Sequence, residues 1–185
     1  VREIQQQCLA FGDGVDYEKY AKNPILTAED LPDGCSPYDF RDPKIWMEED
    51  GTYRIVTCCA TPNRDAKIVI FSSRDGIVWS CGHTLIRNLD RFGKVWECPD
   101  FFRLGDKWVL LTSPMDILPE GFEYHNGNGT LCLIGEYDDE KGNFLPHHDQ
   151  AIDYGIDFYA TQTVLSPDGR RIMIAWMQNW DTTNR

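Results

Sequence analysis

Trp96-Glu97-Cys98-Pro99-Asp100-Phe101-Phe102 sets a key acid, Glu97, among aromatic and strand-forming residues, and the segment after it decides the fold. A Gly105-Asp106 turn leads into the apolar run Lys107-Trp108-Val109-Leu110-Leu111-Thr112, which is a hairpin signal. The same plan, an acid-bearing strand, a turn and an apolar strand, recurs over residues 42–59 and 157–177. The first copy opens on Phe40-Arg41-Asp42-Pro43-Lys44, turns at Glu49-Asp50-Gly51 and continues through Tyr53–Cys58. The last opens on Asp153–Ala160, turns at Pro167-Asp168-Gly169 and continues through Arg171–Trp176. Aligned on their acids, Asp42, Glu97 and Asp157 stand 55 and 60 residues apart and are expected at comparable places.

Outer strands share a second pattern, since Phe71–Trp79 resembles Phe11–Tyr17. Four short strands per unit of this length predict an all-β fold, a β-propeller whose innermost strands surround a central channel. Two blades, about 40–84 and 96–145, read as complete. Residues 1–20 read as the tail of one blade and 157–185 as the front half of another. Three to four blades are thus represented, and the expectation is a chain cut at both ends. Unpaired sheet faces would then call for missing segments or a partner chain, including a second copy.

Composition excludes several classes. A net charge of −12 argues against a nucleic-acid partner, because phosphate binding needs clustered Lys and Arg. No apolar run approaches a membrane span, and residues 1–7 lack the pattern of a signal peptide. Seven cysteines, an odd number with no CxxC spacing, fit a reduced cytoplasmic protein better than a disulfide scaffold or a zinc site. His147-His148 lies in a polar loop and reads as surface.

Glu97 is the leading acid candidate. Its aromatic neighbours suggest an apolar setting, which disfavours the charged form of a carboxyl as a general acid requires. The alternative is an edge glutamate pointing outward. Asp42, beside Arg41 and Lys44, would be ionised and suited to sugar hydroxyls, or is a turn aspartate before proline. Asp153 and Asp157 are equally read as loop and strand-entry residues. Most tryptophans read as core, while Trp176 and Trp180 leave an apolar run toward a loop and are the candidates for stacking on a sugar ring. Carboxylates converging from successive repeats are what glycosidic cleavage needs.

These motifs resemble those of glycoside hydrolase family 32, the β-fructofuranosidases. Arg41-Asp42-Pro43 is similar to the family's RDP motif and Glu97-Cys98 to its EC motif. Asp153-Tyr154-Gly155, Asp157–Ala160 and Gln162-Thr163 resemble its third signature stretch. Leu118–Gly129 and Trp176–Trp180 are most similar to its bacterial sucrose-6-phosphate hydrolase branch. The resemblance implies a five-bladed propeller, usually followed by a β-sandwich, and a retaining double displacement on sucrose, sucrose 6-phosphate or a fructan. It implies Glu97 as acid/base and Asp42 as transition-state stabiliser. Arg41, Cys98, Asp157, Tyr159, Gln162 and Trp176 are then the substrate-binding set. No metal or organic cofactor is implied, since two carboxylates suffice for this chemistry.

One departure is large. The family's nucleophilic aspartate lies in a first-blade motif like W-[ML]-N-D-P-N-G, and Asn23-Pro24 is its only faint echo here. The first blade and the β-sandwich are expected to be absent, and the chain alone to be inactive. Thr161 also stands where proline is common. The rival readings are a non-catalytic sugar-binding propeller and, more distantly, an inverting furanosidase of propeller fold. Arg87, Arg91 and Lys94 are the candidates for contacting a 6-phosphate.

Overall fold

The structure, a computed structural model, describes residues 3–88 and 90–183; Val1, Arg2, Leu89, Asn184 and Arg185, which fall within or beside the expected blade segments, lie outside the described residues. Two four-stranded antiparallel meanders dominate it. The first runs β3 (Arg41–Met47), β4 (Tyr53–Ala60), β5 (Ala66–Ser73) and β6 (His83–Arg87), in that spatial order. The second runs β7 (Trp96–Leu104), β8 (Lys107–Pro114), β9 (Leu131–Asp138) and β10 (Asn143–Ala151). These are the two complete blades the repeat predicts. A hairpin of β1 (Ala10–Gly12) and β2 (Tyr17–Lys19) precedes them, and a hairpin of β11 (Tyr159–Leu165) and β12 (Arg171–Trp176) comes after them.

The turns are those the sequence announces. Gly51 (φ +81°) and Gly105 (φ +64°) supply the left-handed residues that close β3–β4 and β7–β8. The likeness of Phe71–Trp79 to Phe11–Tyr17 is a shared side-chain turn. Asp75 Oδ1 accepts from the Ile77 and Val78 N–H groups, as Asp13 Oδ1 does from Val15 and Asp16. Those backbone donors hold both carboxyls below the usual carboxylate range.

Strand alternation builds the core. Val56 and Cys58 of β4 face the second blade, while Ile55 and Cys59 face Leu26 and Phe40 of the preceding segment. Between the blades, Ile68, Ile70 and Leu85 meet Trp96, Phe101, Leu110 and Phe144. Phe101 stacks on Trp108 at 4.6 Å between ring centroids. Each fully buried large side chain here contributes roughly 1.5–3 kcal/mol. Trp46, Trp79, Trp96 and Trp108 are core or pack against it, as expected.

One feature of the first strands corrects the alignment on acids. Each of β3, β7 and β11 carries the same bulge near its start, where two residues face one on the partner strand. The first residue of the bulge is left-handed in all three: Asp42 (φ +57°), Cys98 (φ +52°) and Ala160 (φ +54°). Asp42, Cys98 and Ala160 are therefore equivalent, and so are Arg41, Glu97 and Tyr159. Asp42, Glu97 and Asp157 are not. The repeat is real, but its acids sit at different steps of it.

Candidate active site

The residue just before each bulge points toward a common centre. Glu97 is 7% exposed, and its carboxyl group makes four hydrogen bonds to three residues. Arg41 donates to its Oε1 from Nε at 3.0 Å and Nη2 at 2.9 Å. At Oε2, the Tyr159 hydroxyl lies at 2.8 Å and Trp180 Nε1 donates at 3.0 Å. The Arg41 fork is a charge-assisted, two-point contact that fixes the orientation of the carboxylate. Its remaining nitrogen, Nη1, reaches Asp39 at 3.2 Å and Gln5 at 3.3 Å, which holds the guanidinium from behind.

The apolar pocket expected around Glu97 is not what surrounds it. Trp96 turns to the other face of β7, into the interblade core, where its indole N–H donates to the Phe92 carbonyl. Phe101 is also in that core, beyond the bulge that resets the alternation. Sequence neighbours thus face elsewhere, and the partners of Glu97 come from other strands.

Asp42 also departs from expectation. Arg41 reaches Glu97 and Lys44 reaches Asp100 (3.5 Å), so neither sequence neighbour is its partner. Its Oδ2 instead accepts the Cys98 N–H at 3.0 Å, with the Cys98 sulfur at 3.7 Å and that of Cys58 at 4.0 Å. The backbone of the residue after Glu97 therefore ties the two acids across adjacent first strands. Burial, then the negative charge of Asp42, pushes the Cys98 thiol up to about 12, so it acts here as a neutral donor.

Tyr159 is 1% exposed, and its hydroxyl lies 2.8 Å from Glu97 and 3.0 Å from the Ser113 carbonyl. Burial and the Glu97 charge hold this phenol far above its ordinary range, so it keeps its proton. One proton cannot serve two acceptors at once. When Glu97 is charged, the phenol donates to it. When Glu97 is protonated, the carboxyl can donate to the phenol oxygen, and the phenol proton turns to Ser113. Both states are satisfied without moving a heavy atom.

A second layer lies just beyond the bulge on the same strands. The equivalent residues Lys44, Asp100 and Gln162 interlock there. Asp100, 1% exposed, accepts from the Thr163 N–H and hydroxyl, both at 2.6 Å, and Lys44 donates to the Thr163 carbonyl at 2.6 Å. Gln162 donates to the carbonyls of Cys98 (3.1 Å) and Pro99 (3.4 Å), and so supports the bulge that aims Glu97.

Two other sequence candidates serve the loop after β12. Asp157 accepts from Thr182 Oγ1 (2.7 Å) and Asn179 Nδ2 (3.2 Å), bracing the turn that presents Trp180. Trp176 pairs with Tyr159 across the β11–β12 ladder and meets Trp180 edge-on at 5.7 Å. The indole N–H of Trp180 on Glu97, and the parts of Ser113, Asn179 and Thr182, were not readable from the sequence. The nearest signal was Trp180's exit from an apolar run. Of the 6-phosphate candidates, Arg91 is engaged with Asp149 at 2.8 and 3.1 Å. Among the described residues no group of three His, Cys, Asp or Glu could hold a metal ion, and no helix is long and apolar enough to cross a membrane.

Fold and site define a β-propeller with a carboxyl cluster built on the bulges of its first strands. The sequence matches the model of the glycosyl hydrolases family 32 N-terminal domain over residues 1–185, and the chain belongs to that family. It is 35% identical over 183 residues to the raffinose invertase of Escherichia coli, covering 98% of this chain and 36% of that protein. It is 37% identical over 176 residues to the sucrose-6-phosphate hydrolase of Bacillus subtilis (strain 168), covering 92% and 35%. Among solved structures, a Bombyx mori GH32 beta-fructofuranosidase aligns with a TM-score of 0.85 at 38% identity, covering 95% of this chain and 37% of that one. A mutant of that enzyme in complex with sucrose aligns equally well. The chain thus spans about a third of the length of the relatives it matches.

Proposed function

We propose that this chain carries the acid/base half of a retaining β-fructofuranosidase acting on sucrose or sucrose 6-phosphate. The single observation that carries the reading is the cage around Glu97, which satisfies the carboxyl both with and without its proton. An acid/base must alternate between those states, donating to the leaving sugar and then taking a proton from water. Arg41 orients the carboxyl. Asp42, aimed by the Cys98 backbone, holds fructosyl hydroxyls as positive charge builds at the anomeric carbon. Trp176 flanks the sugar, and Tyr159 relays the proton state to Ser113. Cys98, Gln162 and Asp157 act by positioning. The nucleophile is assigned to no residue of this chain.

Residues 1–185 are, in this reading, part of one catalytic propeller domain. The exposed apolar side chains of β12, Ile172, Met173 and Ile174, are where further propeller strands of its own chain or a partner would pack. Seven free thiols fit a cytoplasmic location.

Glu97→Gln in the full-length protein tests the reading, with glucose or glucose 6-phosphate release as the measure. Turnover should fall about 10²–10⁴-fold, the usual worth of a general acid–base group, with KM nearly unchanged. Normal turnover in the variant would remove Glu97 from this role. Saturable fructoside binding without turnover in the unmodified protein would favour a sugar-binding propeller.

A further inference from the structure

Behind the first blade, the segment between Leu31 and Phe40 covers a charged cluster that fructoside chemistry does not use. Lys67 lies in the β5 ladder between Ala66 and Ile68 and is 3% exposed. A buried ammonium is strongly disfavoured unless an anion compensates it. Its Nζ lies 3.5 Å from the Asp33 carbonyl and 3.8 Å from Cys35 Sγ. Among the described residues no carboxylate comes within ion-pair distance of it. Arg87 pairs with Lys67 across the β5–β6 ladder and adds a second positive charge. Of the two groups its Nζ reaches, only the Cys35 sulfur can carry the balancing charge. Cys35 is partly exposed, whereas Cys59 of β4, its thiol neighbour, is fully buried.

We propose that Cys35 is a nucleophilic thiol, poised by Lys67 and Arg87 for oxidation by a hydroperoxide, with Cys59 as its resolving partner. The asymmetry of the pair supports the assignment. A hydrogen bond from Cys59 and the charge of Lys67 bring the Cys35 thiol down to about 7 against the effect of burial, while the same contact pushes Cys59 up. In the first step the Cys35 thiolate attacks one peroxide oxygen and the O–O bond breaks. The leaving oxygen departs as water or alcohol once protonated, and Cys35 becomes a sulfenic acid. In the second, the Cys59 sulfur attacks the Cys35 sulfur, the S–O bond breaks, and hydroxide leaves with the Cys59 proton as water. The two electrons given up in forming the disulfide have then gone to the peroxide. Cys59 adjoins Cys58, whose sulfur touches Asp42 and the Asp39 carbonyl. The disulfide would therefore pin the segment leading into Arg41 and Asp42.

The test compares thiols within one molecule. Full-length protein is labelled with iodoacetamide at pH 6.5, and rates at Cys35 and at the exposed Cys8 and Cys81 are read by peptide mapping. Cys35 should react about fivefold faster than either, its larger thiolate fraction outweighing its lower intrinsic nucleophilicity. Lys67→Met should reduce that advantage, and an unchanged rate at Cys35 would remove Lys67 from its part in poising the thiol. Stoichiometric hydrogen peroxide should then yield a Cys35–Cys59 cross-linked peptide that dithiothreitol reverses, and Cys59→Ala should stop the reaction at the sulfenic acid. Labelling of Cys35 no faster than of Cys8 and Cys81 overturns the proposal. Peroxide-treated protein with Cys59 still free overturns the pairing.

Discussion

A single phenol decides how Glu97 lives with its proton. Tyr159→Phe leaves Trp180, among the described residues, as the only donor on Oε2 and leaves the buried Ser113 carbonyl without the phenol proton. The expected cost is about 1–3 kcal/mol of stability, the usual penalty for orphaning a buried polar group, measurable by urea denaturation. Turnover of the full-length protein should also fall, because Glu97 loses a hydrogen-bond partner in both of its proton states; unchanged turnover would remove Tyr159 from the proton relay. At this scale the sequence told part of the story. Glu97 and Arg41 stand in short motifs and could be picked out as site residues. Which groups touch them could not, since Trp180 lies 83 residues along the chain from Glu97 and its approach depends on the Asp157–Thr182 brace. The apolar environment inferred from Trp96 and Phe101 failed for a related reason: a strand sends neighbours to opposite faces.

The bulge is the element that turns three plain strands into a site. By inserting one residue it swings Arg41, Glu97 and Tyr159 inward, and it returns Lys44, Asp100 and Gln162 to the next layer. Pro43 and Pro99 occupy its second position, at a step where the ladder asks for no donor. Left-handed residues other than glycine carry strain of roughly 1–2 kcal/mol. Ala160 has no side-chain partner that would justify this strain, unlike Asp42. Ala160→Gly should therefore be neutral or stabilising by up to about 1 kcal/mol, after the extra entropy of glycine in the unfolded chain is subtracted. A net loss of stability in thermal denaturation would show that the methyl group packs. Strands and hairpins were legible because Asp-Gly turns bracket apolar runs. The bulge was not, because Asp42, Cys98 and Ala160 share a backbone angle and no side-chain property. Alignment on acids therefore slipped by one residue at Glu97 and by three at Asp157.

Across the whole molecule, the Lys44–Asp100–Thr163 layer links three first strands that no loop connects directly. Asp100→Ala should cost about 3–5 kcal/mol, the range for breaking a buried charge pair from one side. Denaturant unfolding should show the midpoint moving for blade and hairpin together; a shift confined to β11 and β12 would mean the layer is local. The division into blades was visible from the repeat, whereas this cross-strand layer joins residues 63 and 119 apart and leaves no periodic trace. The cage around Glu97 spans similar intervals, 56 residues to Arg41, 62 to Tyr159 and 83 to Trp180. No segment short enough to fold by itself contains more than one side of it. Loop closure over such distances is slow and must precede any reward from the contacts it brings together. The acid is thus finished long after its own strand is made: on a ribosome, Glu97 would stay an ordinary surface glutamate until β11, β12 and Trp180 had emerged and docked.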